Sequence, residues 1–460
     1  MQVTNIAILG TIFIFLVSIG GCKTLPQRDL KEVGVEIPAH WSGAQESDRS
    51  LPEHWIETFG DQSLSDLVRN ALTENYELKA VAARVGVAAA QARIDGSSRW
   101  PQLFFSADHQ QVQIREAGFG SSRFGVFEAL FGLSWELDVW GRIRDQQQST
   151  AQEAKATVAD FQGARLSLAA RVTQSYFELI EAKLQSVVAE QSINDRRKIA
   201  DFLQGRFRRG LTRGLDLRLA LTDLANAEAQ YMRARDQMQI IARRLEILLG
   251  RYPAGDLMET TSLPELPVAI PAGLPSELLE RRPDLMAAFD RLRAADLRTS
   301  SSMKLLLPRI TLTAAGGTRS TDLTDLVDPR AVAWNVFIGL MQPLFTGGRI
   351  QGEIAKNEAR AEESLNFYKH TVLNAFQDVE EALATEEWLR KQAEVLKEAV
   401  EQTEASQKLA VYSYRHGLIE ILTLLDSYRS TLNAQSAYLS VKRQLLNNRV
   451  NLYLALGGGF

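Results

Sequence analysis

The residues able to perform chemistry are few in this sequence and lie far apart. The chain of 460 residues contains one cysteine, Cys22, and five histidines. A single thiol excludes an intrachain disulfide and a multi-cysteine metal site, and no two histidines occur at the spacing of metal ligands. No phosphate-binding loop of the Walker type is present, so we expect no catalytic residue, no metal and no enzymatic activity. The histidines are His40, His54, His109, His370 and His416.

Cys22 has a context that predicts covalent lipid attachment. Residues 6–19 form an apolar run, which is shorter than the roughly 20 residues of a membrane-spanning helix but has the length of a signal-peptide core. Two glycines then precede Cys22. This pattern resembles a bacterial lipobox, which predicts a lipoprotein signal peptide at residues 1–21 and a diacylglycerol and N-acyl lipid (palmitate) on Cys22. The alternative is an ordinary cleavage site followed by a buried structural cysteine.

Charge and composition restrict the class of partner. With 52 basic and 56 acidic residues the net charge is −4, so the chain has no basic surplus for a nucleic-acid partner. The hydrophobic fraction of 45% and charged fraction of 23% are those of a folded protein. No later stretch reaches about 18 apolar residues, so any membrane crossing would have to use β-strands.

The sequence contains an internal duplication in which the second copy follows the first at an offset of 207 positions, called the repeat offset below. Four of the thirteen glycines between residues 51 and 253 fall on another glycine at this offset. We therefore predict a lipid-anchored extended N-terminal arm at 22–62, a first repeat at 63–250, a proline-rich linker at 251–275 and a second repeat at 276–460. The matching residues include Pro101 with Pro308, Gly132 with Gly339, Gly141 with Gly348, Gly210 with Gly417 and Gly250 with Gly457.

Each repeat is predicted to begin with a helical segment, roughly at 63–97 and 276–302, and to continue with two strands. In the segment 124–139 apolar side chains alternate with polar ones, as in a strand with one apolar and one wet face. The strands of a soluble sandwich would alternate in the same way, but these are long enough to cross a membrane. Four strands cannot enclose a lumen, so several chains would have to share one barrel. The predicted strands are about 101–117, 124–139, 308–320 and 331–345.

The remainder of each repeat is predicted to be a long helical hairpin. Residues 353–416 contain no Gly and no Pro, and a continuous helix of that length would measure about 95 Å. Apolar or small residues follow a 3,4 spacing from Leu365 to Ala382, and the pattern resumes from Ala393 to Ala410 with Thr and Gln in the seam, which indicates coiled-coil packing. Glycine-containing turns at 208–211 and 415–418 end the two long helices, and we expect these tips far from the strands.

These features together resemble the bacterial outer-membrane factors, the TolC-like efflux channels, and most closely their lipoprotein branch that serves resistance-nodulation-division pumps. Three motifs carry the resemblance, which extends over the whole mature chain: HWIETFGD at 54–61, WELDVWGR at 135–142 and YRHGL at 414–418. It implies a homotrimer with a 12-stranded outer-membrane β-barrel continuous with a periplasmic α-helical barrel. It also implies two partners, a periplasmic adaptor (membrane fusion protein) and an inner-membrane pump.

The resemblance also implies roles for residues of the hairpin tips. Asp426 corresponds to an acid facing the pore, and Tyr414 to a tyrosine that pairs with an acid on the first hairpin, here Asp216. Ile419 stands where the family can have a locking arginine, and Thr423 replaces a second acid. The two acids could instead be ordinary surface residues, and the basic tip (Arg206, Arg208, Arg209, Arg213) a solvated turn. The candidates for adaptor contact are Arg209, Gly210, Leu211, His416, Gly417 and Leu418.

The expected function is that of a passive duct in the outer membrane of a Gram-negative bacterium, part of a tripartite system that exports small molecules. Lys23 after the cysteine supports this location by resemblance to outer-membrane lipoproteins. One alternative is a lipid-anchored periplasmic coiled-coil adaptor or scaffold, which explains the helices and Cys22 but not the paired strands. Another is an outer-membrane exit for protein secretion, which has the same fold.

We expect the substitution Cys22→Ser to abolish lipid attachment, because serine lacks the thiol that is acylated, while assembled protein can still enter the membrane. Metabolic labelling with palmitate, with the native sequence as positive control, measures the effect. Label retained by the serine variant would show that Cys22 is not the attachment site.

Overall fold

A computed structural model describes residues 37–38, 40–42, 54–116, 120–257, 262–267 and 275–459. The predicted signal peptide, Cys22, most of the N-terminal arm and much of the linker lie outside these residues. The described chain forms two compact units. One contains residues 90–153 and 291–365, and the other contains residues 54–89, 154–290 and 366–459.

The order of elements repeats within the chain, which confirms the duplication. The two longest helices have 67 residues each and the helices that follow them have 35 each. Their starting residues, Arg142 with Arg349 and Gly214 with Ile421, are separated by the repeat offset, as the glycine matches predict. The first repeat comprises α1 (Gln62–Glu74), α2 (Tyr76–Ser97), β1 (Gln102–Glu116), β2 (Gly120–Leu137), α3 (Arg142–Arg208) and α4 (Gly214–Leu248). The second comprises α5 (Pro275–Arg281), α6 (Pro283–Met303), β3 (Arg309–Ser320), β4 (Val332–Met341), α7 (Arg349–Arg415) and α8 (Ile421–Ala455).

The helical segment predicted at the start of each repeat is helical in the structure, but each is divided into two helices. In the first repeat Asn75 adopts an extended conformation after α1. Its side-chain oxygen accepts the N–H of Leu78 at 2.9 Å, and its Nδ2 donates to the carbonyl oxygen of Leu248 at 2.9 Å. Asparagine competes in this way with helical backbone bonds, so it both ends α1 and caps α2.

The second repeat has its break at Arg282, which is the counterpart of Asn75 at the repeat offset. Pro283 disfavours helical geometry at the residue before it, which accounts for the break. Arg282 Nη1 donates to the carbonyl oxygen of Ala455 at 3.2 Å, and Ala455 is the counterpart of Leu248. In each repeat, therefore, a side chain at the helix break donates a hydrogen bond to the end of the repeat's last helix. The side chain is an asparagine in the first repeat and an arginine in the second.

The four strands form one antiparallel sheet in the order β1-β2-β3-β4. The pairing of β2 with β3 joins the two repeats. β2 begins at Gly120, four residues before the predicted start at residue 124. The reason is that β1 continues to Glu116, which pairs with Gly120. β4 ends at Met341 instead of residue 345, because its partner strand starts at Arg309, opposite Met341.

The N-terminal segment around Trp55 is a short 3-10 helix (Trp55–Phe59), although the sequence suggested an extended arm. Trp55 is fully buried and stacks on Tyr453 with ring centroids 5.3 Å apart. Thr58 Oγ1 lies 2.9 Å from the hydroxyl of Tyr453. The HWIETFGD segment is therefore part of the core that α1, α3, α4 and α8 build.

The predicted coiled-coil seam of α7 is the least exposed stripe of that helix. Five of its positions are buried, and the following ones are half-buried up to the buried Ala410. The buried positions are Tyr368, Val372, Ala375, Val379 and Ala382. Among the described residues, none of the helices combines the length and the apolar composition that a membrane crossing requires.

The last turn of each repeat closes against the helix break through a glycine. Gly250 and Gly457 have φ values of 70° and 68°, where side chains with a Cβ are disfavoured. A Cβ at Gly250 would lie 2.6 Å from the carbonyl oxygen of Glu74, and one at Gly457 would lie 3.0 Å from that of Arg281. The two glycines permit the same close backbone approach in both repeats.

We expect Gly250→Ala to destabilise the protein by about 2 kcal/mol. Alanine would have to adopt the left-handed backbone conformation at this position, and its Cβ would clash with the carbonyl oxygen of Glu74. Gly205→Ala is the matched control, since Gly205 lies inside α3 with open space around it and alanine favours helices. Thermal unfolding of both purified variants gives the comparison. Equal melting temperatures would contradict the requirement for glycine at position 250.

Candidate functional site: an apolar sheet face and two hairpin tips

One face of the sheet carries mostly apolar side chains over the part nearest the helices. Phe105 pairs with Phe131, which pairs with Gly316, which in turn pairs with Trp334. Residues directly opposite one another in a sheet project to the same face, so this apolar face extends across all four strands. Its members in this part are Leu103, Phe105, Ala107, His109, Phe127, Ala129, Phe131, Leu133, Trp135, Leu137, Ile310, Leu312, Ala314, Gly316, Thr318, Val332, Trp334, Val336, Ile338 and Leu340. At the other end the same face carries the polar residues Gln111, Gln113, Arg115, Ser121, Arg123 and Ser320.

The apolar face is uncovered within the described part of the chain. Phe131 is 69% exposed, Trp334 77% and Ile338 70%. Monomeric soluble proteins rarely expose contiguous apolar patches of this kind, and such a patch indicates contact with a membrane or another protein. The apolar–polar alternation in the sequence therefore produces an apolar surface in the structure. The described residues of one copy do not cover this surface.

The opposite face is largely polar or small. Glu128 and Arg319 form an ion pair across β2 and β3 at 2.9 Å, and threonines and serines occupy neighbouring positions. The large apolar exceptions include Phe104, Leu130 and Phe337. This face suits contact with water, and together the two faces have the pattern of membrane strands around an aqueous lumen.

Tryptophans are concentrated where the strands meet the helices. Trp135 donates its indole N–H to the carbonyl oxygen of Arg99 at 3.0 Å, and Trp140 donates to that of Pro308 at 2.8 Å. Trp100 is 72% exposed. Tryptophan, with an apolar ring and one polar group, is enriched at membrane–water boundaries, so this end of the sheet has the chemistry of such a boundary.

The second region with functional candidates consists of the turns that end α3 and α7. Gly210 donates its N–H to the carbonyl oxygen of Phe207 at 2.9 Å, and Leu211 donates to that of Arg206 at 2.9 Å. The equivalent bonds recur at the repeat offset, at Gly417 and Leu418. Both turns are glycine-terminated helix caps of the Schellman type, which fixes the direction in which each chain returns.

The two hairpins pack on each other next to these turns. Leu203 of α3 lies in one buried cluster with Leu424 of α8. Arg196 contacts the Asp223 carboxylate at 2.5 Å and has its guanidinium 5.9 Å from the ring centroid of Tyr428. Side chains near the tips therefore connect the two hairpins.

Tyr414 and Asp216 are brought together, with Thr212 between them. The hydroxyl of Thr212 donates to the Asp216 carboxylate at 3.1 Å. Burial, followed by the nearby Asp216 carboxylate, raises the pKa of Tyr414, while a hydrogen bond with Thr212 acts in the opposite direction. The sequence analysis did not predict that Thr212 contacts these two residues. Its position four residues before Asp216 could have indicated the contact with that carboxylate.

Asp426 has a different partner. Its carboxylate is exposed and forms an ion pair with Arg429 at 3.2 Å, one helical turn later. Such exposed pairs contribute little to stability, so this ion pair adds little to the stability of the fold. Thr423 is also exposed and Ile419 is half-buried.

The tip residues proposed for adaptor contact are exposed on both turns. Leu211 is 57% and Leu418 70% exposed, and Gly210 and Gly417 are exposed as well. Arg209 Nε donates to the carbonyl oxygen of Gly205 at 3.2 Å, and a ring nitrogen of His416 lies 2.8 Å from that of Tyr412. The basic side chains thus bond to their own helices, while the leucines remain available.

The helical unit also has a groove of about 680 Å³ between α3, α6, α7 and α8. Arg282 lies in its wall and contacts Asp284 at 2.8 Å and Asp378 at 2.9 Å. Its charge is therefore neutralised within the chain. Among the described residues no group of three or more His, Cys, Asp or Glu side chains is placed to hold a metal ion.

Comparison with known proteins identifies a family. The profile described as "Outer membrane efflux protein" matches residues 67–251 and again 274–458. The chain is 30% identical to the pyoverdine export outer membrane protein OpmQ of Pseudomonas putida, with 93% of each chain covered. It is 27% identical to the cation efflux system protein CusC of Escherichia coli, over 97% of this chain and 98% of that protein.

Solved structures agree with this result. The Campylobacter jejuni CmeC outer membrane channel superposes with a TM-score of 0.87 at 25% identity, covering 95% of both chains. The outer-membrane channel OprN gives a TM-score of 0.88 at 26% identity, with 95% of this chain and 99% of that chain covered.

Proposed function

The chain belongs to the outer membrane efflux protein family, and from this premise we propose that three copies form one export duct in a tripartite efflux system. As an efflux channel of this family it resides in the outer membrane and extends into the periplasm. The proposed assembly rests on the sheet. In the described chain its apolar face is uncovered, and each of its two outer strands is paired on one side only.

The physical reason for shared strands is that backbone groups within lipid need hydrogen-bond partners. β1 and β4 are the edge strands of the described sheet. An open edge does not occur in the hydrocarbon region, and four strands are fewer than the roughly eight that enclose even a filled barrel. Three copies would supply twelve strands to one closed barrel, with the apolar face toward lipid and the polar face toward the lumen.

The helical hairpins would supply the periplasmic wall of the duct. Twelve helices, four from each copy, would surround an aqueous path, with the coiled-coil seams holding neighbouring helices together. The exposed leucines of the tips, Leu211 and Leu418, offer apolar contact for a periplasmic adaptor. An inner-membrane pump would provide the energy, and the duct itself would perform no enzymatic step.

The cargo is proposed to be small molecules or ions. One relative is named for pyoverdine export and another for cation efflux, and both are similar to this chain over nearly its full length. Acylation of Cys22 would add a lipid anchor, and two or more acyl chains hold a protein stably on a membrane.

Insertion of the sheet can be tested at two residues on opposite faces of β4. We expect Ile338→Arg to prevent insertion, because arginine on a lipid-facing position costs about 2–4 kcal/mol near the midplane. Asn335→Arg is the matched control, since Asn335 lies on the polar face of the same strand. Flotation with lipid vesicles and single-channel conductance in planar bilayers measure the outcome.

Equal insertion and conductance of the two arginine variants would contradict a membrane sheet with its apolar face toward lipid. Loss of insertion in Ile338→Arg alone would support it. A protein that never conducts, in native form, would instead support a scaffold without a pore.

A second prediction concerns Asp426, which we propose faces the pore. A ring of three such carboxylates would attract cations and repel anions. We expect Asp426→Ala to raise conductance or weaken block by added divalent cations. Asp66→Ala is a suitable control, because Asp66 is likewise an exposed acid paired with an arginine on its own helix, at 3.0 Å. Cation block that is unchanged in Asp426→Ala would contradict a position in the pore.

A further inference from the structure

Two of the four strands continue beyond the other two. Ser320, the last residue of β3, pairs with Phe127, and past this point β1 and β2 continue as a two-stranded ribbon, called the distal ribbon below. It comprises residues 110–116 and 120–126, which pair in an unbroken antiparallel register. Because the pairing is regular, residues of the ribbon keep the alternation of faces found in the rest of the sheet.

The polarity of the two faces is exchanged on the distal ribbon. Val112 and Phe124 pair on the face that is largely polar in the rest of the sheet. Gln111, Gln113 and Ser121 lie on the other face, in line with the apolar residues nearer the helices. The apolar face therefore ends where the ribbon begins, as expected of strands that leave a hydrocarbon layer at this point.

The length of the apolar part agrees with this boundary. Residues Phe127 to Leu137 of β2 lie in it, and they extend over about 34 Å along the strand. At the tilt of about 40° that membrane-barrel strands have, this length gives a height of about 26 Å, and an outward apolar band is about 25 Å tall. His109 stacks on Phe127 with ring centroids 4.0 Å apart, so aromatic rings lie at the edge of the band.

The distal ribbon lies on the outer side of the membrane. The tryptophans that donate to the carbonyl oxygens of Arg99 and Pro308 lie at the opposite end of the sheet, where the strands join the helices. The helices of an outer membrane efflux protein extend into the periplasm. The ribbon, at the other end of the strands, therefore emerges from the outer leaflet.

Charges are separated between the two faces of the sheet. Arg115 and Arg123 lie on the face that continues the apolar surface, and no other Asp, Glu, Lys or Arg of the described strands lies on that face. The acids Asp108, Glu128 and Glu136 lie on the opposite face. The outward face of the ribbon therefore carries cations without acids.

The two arginines are near enough to each other to bind one group. Arg115 lies opposite Ser121, and Arg123 lies opposite Gln113, so the arginines are diagonal neighbours about 7–8 Å apart. These four residues, called the arginine patch below, are all exposed. Within the described chain neither arginine side chain forms an ion pair or a hydrogen bond, so both guanidinium groups can bind a ligand.

We propose that the arginine patch binds phosphate groups of lipopolysaccharide, the phosphorylated glycolipid of the outer leaflet. Arginine can donate two parallel N–H bonds to one phosphate, and Gln113 and Ser121 add neutral donors beside it. Anionic headgroups attract cationic side chains at a membrane surface. This inference rests on the proposed membrane-spanning sheet and adds a lipid that holds its outer end.

The height of the patch suits a phosphorylated headgroup. Arg123 lies four residues beyond Phe127 on β2, about 14 Å along the strand and about 10 Å above the apolar band at the same tilt. The headgroup layer of an ordinary bilayer is about 5–7 Å deep on each side. A long arginine side chain can reach back into such a layer from its backbone position.

A nearby acid is too distant to neutralise the patch. Ser320 donates to the Asp325 carboxylate at 3.4 Å, which places this acid near the end of β3. Because Ser320 lies opposite Phe127, Arg123 lies about 14 Å further along the strand. Physiological salt screens exposed charges over about 8 Å, so Asp325 leaves the attraction of the patch for phosphate largely unchanged.

Retention of lipopolysaccharide by the reconstituted protein tests the patch. The native protein is placed in phosphatidylcholine vesicles that contain a small fraction of rough lipopolysaccharide, and native mass spectrometry counts the glycolipid that stays bound after extraction. We expect the double variant Arg115→Gln with Arg123→Gln to need at least about tenfold more lipopolysaccharide for equal occupancy, because two cationic contacts are lost.

Arg330→Gln is the matched control. The side chain of Arg330 is 91% exposed in the connection from β3 to β4, at the same end of the sheet, but Asp328 already pairs with it at 2.6 Å. We therefore expect this variant to retain as much lipopolysaccharide as the native protein. Retention by the native protein should fall as salt is raised, because the contacts are ionic.

Two further arms use the native protein alone, so they hold even if the double variant fails to fold. Enzymatically dephosphorylated lipopolysaccharide should be retained at least about tenfold more weakly, and equal retention would overturn recognition of phosphate. Inorganic phosphate at the concentration of the glycolipid should displace none of it. Full displacement would show a site for free phosphate and overturn the assignment to a lipid.

Conductance separates failure of the patch from failure of the duct. Native protein that conducts, but retains no more lipopolysaccharide than the double variant does, would overturn the patch and leave the duct intact. Native protein that does not enter the vesicles would overturn the membrane-spanning sheet together with the patch that depends on it.

Discussion

The constraint on which the rest of the structure depends is the need of backbone N–H and C=O groups for partners wherever water is absent. The described chain has one sheet of four strands, with an uncovered apolar face and two open edges. In water the face would promote aggregation, and in lipid the edges would leave polar groups unpaired. Lipid covers the apolar face, and strands of further copies pair with the two edges, which is why the sheet belongs to an assembly in a membrane.

Because of the duplication, each chain contains the same arrangement of helices and strands twice, with different side chains in the two repeats. Asn75 and Arg282 hold equivalent positions and donate to equivalent carbonyl oxygens, yet one is a small amide and the other a cation paired with Asp378. Gly250 and Gly457 permit the same close approach. Backbone geometry is thus retained between the repeats while side chains have diverged.

The sequence predicted features that depend on periodicity. The repeat offset, the strand phase around Phe131 and the helical seam from Tyr368 to Ala382 each follow from spacing alone, and the structure contains all three. The tip turns could be predicted as well, because Gly210 and Gly417 end long segments that are poor in helix breakers.

The features that the sequence did not predict depend on single side chains or on a partner strand. Asn75 breaks a helix through its own hydrogen bonds, and asparagine inside an alanine-rich segment is a weak signal. β4 ends at Met341 because β3 begins opposite it, which no local pattern in β4 reveals. Thr212 joins Tyr414 and Asp216 through contacts between the hairpins of the two repeats, which are distant in sequence, and such contacts require the fold.

The most direct measurement is electron microscopy of the native protein purified in mild detergent. We expect end-on views with threefold symmetry and a central channel, and side views of a hollow cylinder at least as long as one 67-residue helix, about 100 Å. A solid rod, or a particle without threefold symmetry, would contradict closure of the sheet by three copies.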